Sequence, residues 1–458
     1  MKNVDFIIIT TDVHEIIKDG NRIVKFRVNV PGRVTEGQET EYNAGELNKL
    51  LINWENIPPK LEKVIKVGQI LGDALFPPGL IRDSFLGSLA VNKNNSDSQL
   101  RIILNLQGLL HLLPWEFMVF HTEQGEATQN EILGLMSQVS IIRQLDNTMP
   151  GNPGIQSAKF PIQMVAAFAD PTMLLDLDEE RKLLEMSLGG SKRIKVNYVK
   201  RATNENLLGG LDQVHLFHFA GHGEFVENPT PGLSPGKGAL ILDDGSGNSF
   251  QMGASQLAVR LVNAGVRIVV LGACLTAKRD EINMWSSTAA NLINGGIGAV
   301  VAMQFIIQDK SAIAFSKAFY EAIALGFPVD KAVTKGRLAI FEQNDFRGFG
   351  TPVLYMGSGD GIIFPELTKD PELKKEREKT MVVVNLSADI VEGEVTGIKV
   401  GKMMSGEAEV TITTISLEGG QLIGFDAGAL TGGHVDVKMN VQRVVKGGKI
   451  IGARLDEL

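Results

Sequence analysis

One cysteine and seven histidines are the residues of this 458-residue chain best suited to covalent chemistry. Cys274 ends the apolar run Arg267-Ile-Val-Val-Leu-Gly-Ala-Cys274, and the polar residues Thr276, Lys278 and Arg279 follow it. Three histidines fall in Val214-His215-Leu-Phe-His218-Phe-Ala-Gly-His222-Gly223. Both runs read as buried β-strands, so Cys274 and His222 each stand just past a strand end. The two are 52 residues apart. If their strands are neighbours in one parallel sheet, imidazole and thiol come together. A free thiol is mostly protonated near neutral pH, and the thiolate is the nucleophile. A nearby imidazole can take the thiol proton and later give it to a leaving amine. Backbone N–H groups of Gly223 and Cys274 are placed to hold the developing oxyanion. The small residues Gly272, Ala273 and Gly223 leave room for a substrate backbone. The bland alternative is that Cys274 is a small core residue, as free cysteines on apolar strands commonly are.

The other histidines and glycine-rich stretches point to less. His215 and His218 face opposite sides of their strand and read as packed, structural residues. His222 is flanked by glycines, which permit an unusual backbone conformation and close approach of a ligand. The pattern His-x-x-His-x-x-x-His would bind metal on a helix, but the strand pattern argues against one, and no metal site is expected. Gly232-Leu-Ser-Pro-Gly-Lys-Gly238 has the wrong glycine spacing for a phosphate loop and lacks Ser or Thr after Lys237. It reads as a mobile loop beside His222. Gly295-Gly-Ile-Gly298 follows a helical stretch, not a strand, so it is no dinucleotide fingerprint. No cofactor is implied.

A lone cysteine also excludes an internal disulfide and any zinc site needing two thiolates from one chain. A reduced, cytoplasmic compartment is the expectation. A redox sensor would lack a resolving cysteine. The net charge of −8 gives no support for nucleic-acid or anionic-membrane binding. Met1–Thr10 carries Asp5 before a short apolar run and no cleavage-site pattern, so no signal peptide is expected. No apolar run approaches the roughly 18 residues of a membrane span.

The elements that must position Cys274 and His222 follow from the apolar periodicity. The length suggests two or three domains. Residues 1–157 read as an α/β region, with strands at Phe6–Thr10, Ile23–Val30 and Leu100–Leu104. Helices are expected at Glu46–Trp54 and Pro59–Leu75, and Met149–Ser157 is a candidate seam. Residues 158–366 alternate strands and helices. The expected strands are Ile162–Ala169, Val196–Val199, Val214–Ala220, Ile268–Ala273, Ala299–Ile307 and Pro352–Met356. The expected helices are Asp178–Leu188, a short one near Glu205–Leu211, Ala254–Val262 and Lys310–Leu325. Such alternation predicts a mostly parallel sheet flanked by helices, with function at the C-terminal strand ends.

Residues 367–380 form a charged linker. Beyond them Gly393-Glu-Val-Thr-Gly397, Gly420-Gln-Leu-Ile-Gly424 and Gly448-Lys-Ile-Ile-Gly452 recur at spacings of 27 and 28. Each follows an alternating strand, so residues 381–458 read as three copies of a two-strand unit in a small all-β repeat module. The units should bury apolar faces against one another, because one hairpin alone is marginal.

Several motifs, in order along residues 113–355, carry a family resemblance. They are Leu113-Pro-Trp-Glu-Phe117, His218-Phe-Ala-Gly-His-Gly-Glu-Phe225 and Leu271-Gly-Ala-Cys-Leu-Thr276. After them come Val300-Val-Ala-Met-Gln-Phe305 with Asp309, Ala318-Phe-Tyr320 and Gly350-Thr-Pro-Val-Leu-Tyr355. The set resembles the CHAT family of caspase-like cysteine peptidases. That resemblance implies a caspase-type sheet, a Cys–His dyad at Cys274 and His222, and cleavage of a protein target in bacterial signalling or antiviral defence. It also implies a regulatory protein partner. Many members carry Trp where Phe305 stands. Some basic-specific relatives of the fold carry an acid two residues before the nucleophile, where this chain has Gly272, so specificity for Arg or Lys is not expected by that route. Ala273, Glu224, Phe305 and Asp309 are the candidate pocket residues, although Asp309 reads equally as a helix-start residue and Glu224 as a solvated charge. Glu116 reads as a buried structural partner. The repeat module would recruit, restrain or self-associate the protein. The competing expectation is a catalytically latent caspase-like scaffold acting through that module.

Overall fold

The protein is described by a computed structural model. It describes all residues except 1, 53, 55–56, 94–97, 122–126, 146–159, 172, 174–176, 212, 227–236, 273–281, 306, 379–381, 392–393, 401–406, 418–420, 430–433, 445–448 and 458. Beyond Lys374 it describes the backbone only. The chain divides into two compact units, Met1–Glu366 and Leu367–Leu458. The candidate seam at 149–157 lies outside the described residues.

The first unit is built on one large sheet. Its strands are β1 (Lys2–Lys18), β2 (Asn21–Asn29), β3 (Gln38–Asn43), β4 (Ser98–Asn105), β5 (Val139–Gln144), β6 (Ile162–Ala169), β7 (Ile194–Val199) and β8 (Leu216–Gly221). A small antiparallel sheet follows, made of β9 (Gly223–Val226), β10 (Lys237–Asp243) and β11 (Ser249–Gly253). β12 (Ile268–Leu271), β13 (Ala299–Met303) and β14 (Pro352–Met356) complete the large sheet. Its 11 strands run in the order β3-β2-β1-β4-β5-β14-β13-β12-β8-β6-β7. The helices are α1 (Ala44–Leu51), α2 (Leu61–Leu75), α3 (Leu80–Lys93), α4 (Leu177–Leu188), α5 (Ala254–Asn263), α6 (Ile282–Asn294), α7 (Asp309–Ala324) and α8 (Val329–Phe341).

The order explains the apolar runs. Central strands of a sheet covered on both faces need apolar side chains at every position. β8, β12 and β13 are buried along their whole length. Each fully buried Val, Leu or Ile contributes about 1.5–3 kcal/mol. One face holds Phe217, Phe219, Val269, Leu271, Val300 and Ala302 in a single apolar cluster with Leu257 and Leu261 of α5 and Leu292 of α6. α4 and α7 pack on each other, and α4 also meets β6, β7 and β8. The sheet is mostly parallel from β12 outward through β8, β6 and β7. β14 runs antiparallel to β13 and parallel to β5, which joins the N-terminal strands to the same sheet. The fold is therefore α/β, with a large, mostly parallel sheet flanked by helices.

Two elements differ from expectation for identifiable reasons. The short helix near Glu205–Leu211 is a run of turns. Thr203 Oγ1 accepts the N–H groups of Glu205 and Asn206, and Asn206 Oδ1 accepts the Thr203 N–H at 2.7 Å. Such side-chain bonds compete with helix formation, and Gly209 and Gly210 then take positive φ. The apolar run Ala299–Ile307 is strand only to Met303. Gln304 N–H still donates to Thr351 O at 2.9 Å, and the Gln304 side-chain amide donates to Glu116 Oε2 and to Gly350 O. Among the described residues, no single helix is long and apolar enough to cross a membrane.

In the second unit, β15 (Val382–Val391), β17 (Glu407–Leu417) and β19 (His434–Val444) form one parallel sheet. β16 (Glu394–Val400), β18 (Gln421–Ala429) and β20 (Lys449–Glu457) form another. Each strand therefore pairs with its counterpart in the next repeat, as in Ala408↔Val435 and Gln421↔Lys449, and not with its sequence neighbour in a hairpin.

Candidate active site

β6, β8 and β12 lie side by side and run parallel, so their C-terminal ends open on one edge. Leu271 pairs with Phe219, and Gly272 N–H donates to Phe219 O at 2.8 Å. On the other flank Ala169 pairs with Gly221. The residues just past these ends are Asp170 and His222, with Cys274 two positions beyond Gly272. Cys274 and Ala273 lie outside the described residues.

His222 is buried at 9% exposure. Its Nε2 stands 2.9 Å from Asp170 Oδ1, and the Asp170 side chain is 7% exposed. An ionised carboxylate only accepts, so Nε2 donates, and Nδ1 of the neutral ring then carries the lone pair. The backbone holds this pair in place. Ile241 N–H donates to His222 O at 3.0 Å, and β10 pairs with β9 directly after the histidine. Gly221 is required by space: a Cβ there would lie 2.3 Å from Ala169 O and 2.8 Å from the Phe219 ring. Any side chain at 221 would push β8 away from β6 and separate His222 from Asp170.

The other two histidines of the run have different company. Burial and then the Arg267 charge push the pKa of His215 down. Its Nδ1 accepts the Gln163 N–H at 3.0 Å, and its ring meets Phe364 edge-on. His218 shares a 2.9 Å Nδ1 hydrogen bond with Tyr320 Oη. Burial holds the Tyr320 hydroxyl well above the usual phenol pKa, so it stays protonated. The two rings thus serve different neighbours and share no ligand site.

Of the candidate pocket residues, Phe305 is 8% exposed and packs against Trp54 and Phe117. Its ring is committed to that aromatic cluster. Asp309 opens α7 and Glu224 lies in β9, and only their backbones are described. Gly223 opens β9 opposite Leu240. Lys237 and Gly238 begin β10, and 232–236 lie outside the described residues.

Glu116 is a buried structural partner. Arg143 donates to both its carboxylate oxygens, at 3.0 and 2.7 Å, and also to His111 O and Leu113 O. Gln304 donates to the same carboxylate at 2.8 Å. Gly350 admits the Phe117 ring, which a Cβ would meet at 2.3 Å. The Leu113–Phe117, Val300–Phe305 and Gly350–Tyr355 motifs thus meet in one buried network that joins β5, β13 and β14.

Asp170 was not legible as a site residue. Its one sequence signal is that it directly follows the apolar run Ile162–Ala169, as His222 follows its own strand.

The CHAT domain family matches residues 66–372. The chain belongs to the CHAT domain family. No curated protein sequence matches the chain. Among solved structures it is similar to a chain of the Saccharomyces cerevisiae separase–securin complex, seen in two crystal structures. One match has 15% identity over 60% of this chain and 17% of that chain, at a TM-score of 0.32. The other has 16% identity over 70% and 21%, at a TM-score of 0.31. The chain thus spans about a fifth of the chains it matches.

Proposed function

We propose that the protein is a regulated cysteine endopeptidase that cleaves a protein target, with Cys274 as nucleophile and His222 as general base and acid. The observation that carries this reading is the His222–Asp170 pair at the end of β8, beside the end of β12 from which Cys274 follows. The bond to Asp170 fixes which ring nitrogen can accept a proton. His222 Nδ1 takes the Cys274 proton, and the thiolate attacks the scissile carbonyl carbon. The oxyanion is held by backbone N–H groups of Gly223 and Cys274, each such donor being worth roughly 10²–10³ in rate. His222 then protonates the leaving amine. Water, deprotonated by His222, hydrolyses the thioester and frees the thiol.

Residues 381–458 carry no recurring catalytic side chain, and we assign them recruitment or self-association, with a protein partner supplying regulation. An intracellular role in bacterial signalling or defence fits this reading. The test is a search for new protein N-termini in cells expressing the wild type, Cys274→Ala or His222→Ala. Each substitution should abolish every cleavage seen with the wild type. Cleavage by either variant at the wild-type rate overturns the assignment.

A further inference from the structure

Gly272 leaves open the place where an acid two residues before Cys274 would project, but that place is not electrically empty. An ideal Cβ on Gly272 would stand 3.2 Å from Glu180 Oε1. Glu180 comes from the first turn of α4, and its side chain is 37% exposed. The helix therefore delivers from the side a carboxylate to the space beside the end of β12.

The surroundings of this carboxylate set it apart from the other acids of α4. Glu179 pairs with Lys182 at 3.5 Å, Asp178 with Arg181 at 3.5 Å, and Glu185 with Arg181. Glu180 pairs with no Arg or Lys among the described residues. His218 Nε2 stands 4.0 Å from its Oε1, beyond hydrogen-bond range. The His218 side chain is 8% exposed, and its Nε2 is buried without a hydrogen-bond partner among the described residues. A buried, unsatisfied polar atom costs free energy until something bonds it. His218 Nε2 lies on the same side as the Glu180 carboxylate, which accepts N–H groups whichever ring nitrogen of His218 holds the proton. The Glu180 carboxylate is thus an acceptor for a cation bearing several N–H groups, beside the strand end that leads to Cys274.

Building on the peptidase reading, we propose that Glu180 is the specificity residue of this site. It selects peptides with a basic side chain, Arg or Lys, on the residue whose carbonyl is attacked. Cys274 follows Gly272 by two residues, and a long basic side chain on the attacked residue would extend to a carboxylate beside Gly272. A planar guanidinium meets a carboxylate with two parallel N–H···O bonds, whereas an ammonium meets it as a strongly hydrated point charge, so Arg should be preferred to Lys.

Two readouts on the full chain separate this inference from the peptidase reading. The first is turnover of fluorogenic peptides with Arg, Lys, Leu or Asp before the scissile bond. The second is protection of Cys274 against iodoacetamide by peptide aldehydes ending in Arg, Leu or Asp, which requires recognition but no turnover. The wild type should favour Arg by about tenfold or more in both, the value of one charge-assisted hydrogen bond. Glu180→Gln should erase the preference while leaving the melting curve unchanged, and Glu180→Lys should shift it towards Asp. Arg-selective protection without turnover sinks the peptidase reading and leaves Glu180 as the selector. Turnover without basic preference, or a preference that survives Glu180→Gln, overturns the role of Glu180. Absence of both turnover and protection overturns both.

Discussion

Asp170→Asn is the substitution that most directly probes how His222 works. The wild-type contact is 2.9 Å between two side chains that are 11% and 7% exposed, so little solvent competes for it. A hydrogen bond to a charged group of this kind contributes about 1.5–3 kcal/mol. At about 1.36 kcal/mol per decade, that is roughly 10- to 150-fold in rate if the bond matters fully in the transition state. Asparagine keeps the volume, so packing is preserved. Its amide can turn an N–H towards Nε2, which then accepts, and the ring proton moves to Nδ1. The nitrogen that must receive the thiol proton would already hold one. The assay is the second-order rate of iodoacetamide alkylation at neutral pH, followed by mass. The chain has one cysteine, so the adduct reports Cys274 alone. Asp170→Asn should slow alkylation and peptide turnover by about 10- to 150-fold with an unchanged melting curve. If it reacts at the wild-type rate while His222→Ala is slow, Asp170 does not set the histidine tautomer and the proposed role is wrong.

Two further substitutions test the scaffold. Glu116→Ala leaves Arg143 buried with its charge unmatched, and Gln304 loses an acceptor. Losing one partner of such a pair costs about 3–5 kcal/mol, which urea unfolding should show, and a loss below 1 kcal/mol would contradict the network. Asp243 accepts from Arg201 at 2.6 Å and from Gly245 N–H at 2.7 Å, and these hold its carboxyl below the usual 3.8. A depressed folded-state pKa contributes stability above the unfolded value that is lost as pH falls through the folded one. Arg201 is exposed, so screening keeps the contribution small. Asp243→Asn should therefore cost about 1 kcal/mol near pH 7, and the gap to the wild type should close on acidification below the ordinary carboxyl range. A gap that is constant with pH would show that charge is not the cause.

The legible parts of the fold were those whose burial leaves a mark in local composition. β6 and β14 stand on the residues their apolar runs predict, and α5 and α7 lie within a residue of expectation at each end. The elements that were not read carry polar residues whose partners lie far away in the chain. β5 contains Arg143, which is silent as a core residue until Glu116 is seen beside it. In α8, Asp330 is buried against Ser140 of β5, and Arg337 donates to Pro352 O of β14. Such residues make a buried strand or helix look like a surface one. The β9–β11 sheet has short strands that gain meaning only from pairing with one another.

The site divides along the same line. Cys274 and His222 stand out in the sequence because glycines and apolar strands frame them. Asp170 and Glu180 do not stand out, because only the packing places them: β6 beside β8 brings Asp170 to His222, and α4 brings Glu180 to Gly272 at the end of β12. Most of the motif residues that carry the family resemblance do neither job. Glu116, Gln304 and Gly350 bind β5, β13 and β14 into one body, and Tyr320 anchors His218. A match to the family therefore speaks first for that scaffold. Under the proposed function, whether this chain cuts, and what it cuts, would rest on four side chains: Asp170, His222, Cys274 and Glu180. Substitution there can change activity and selectivity while the scaffold that defines the family stays intact.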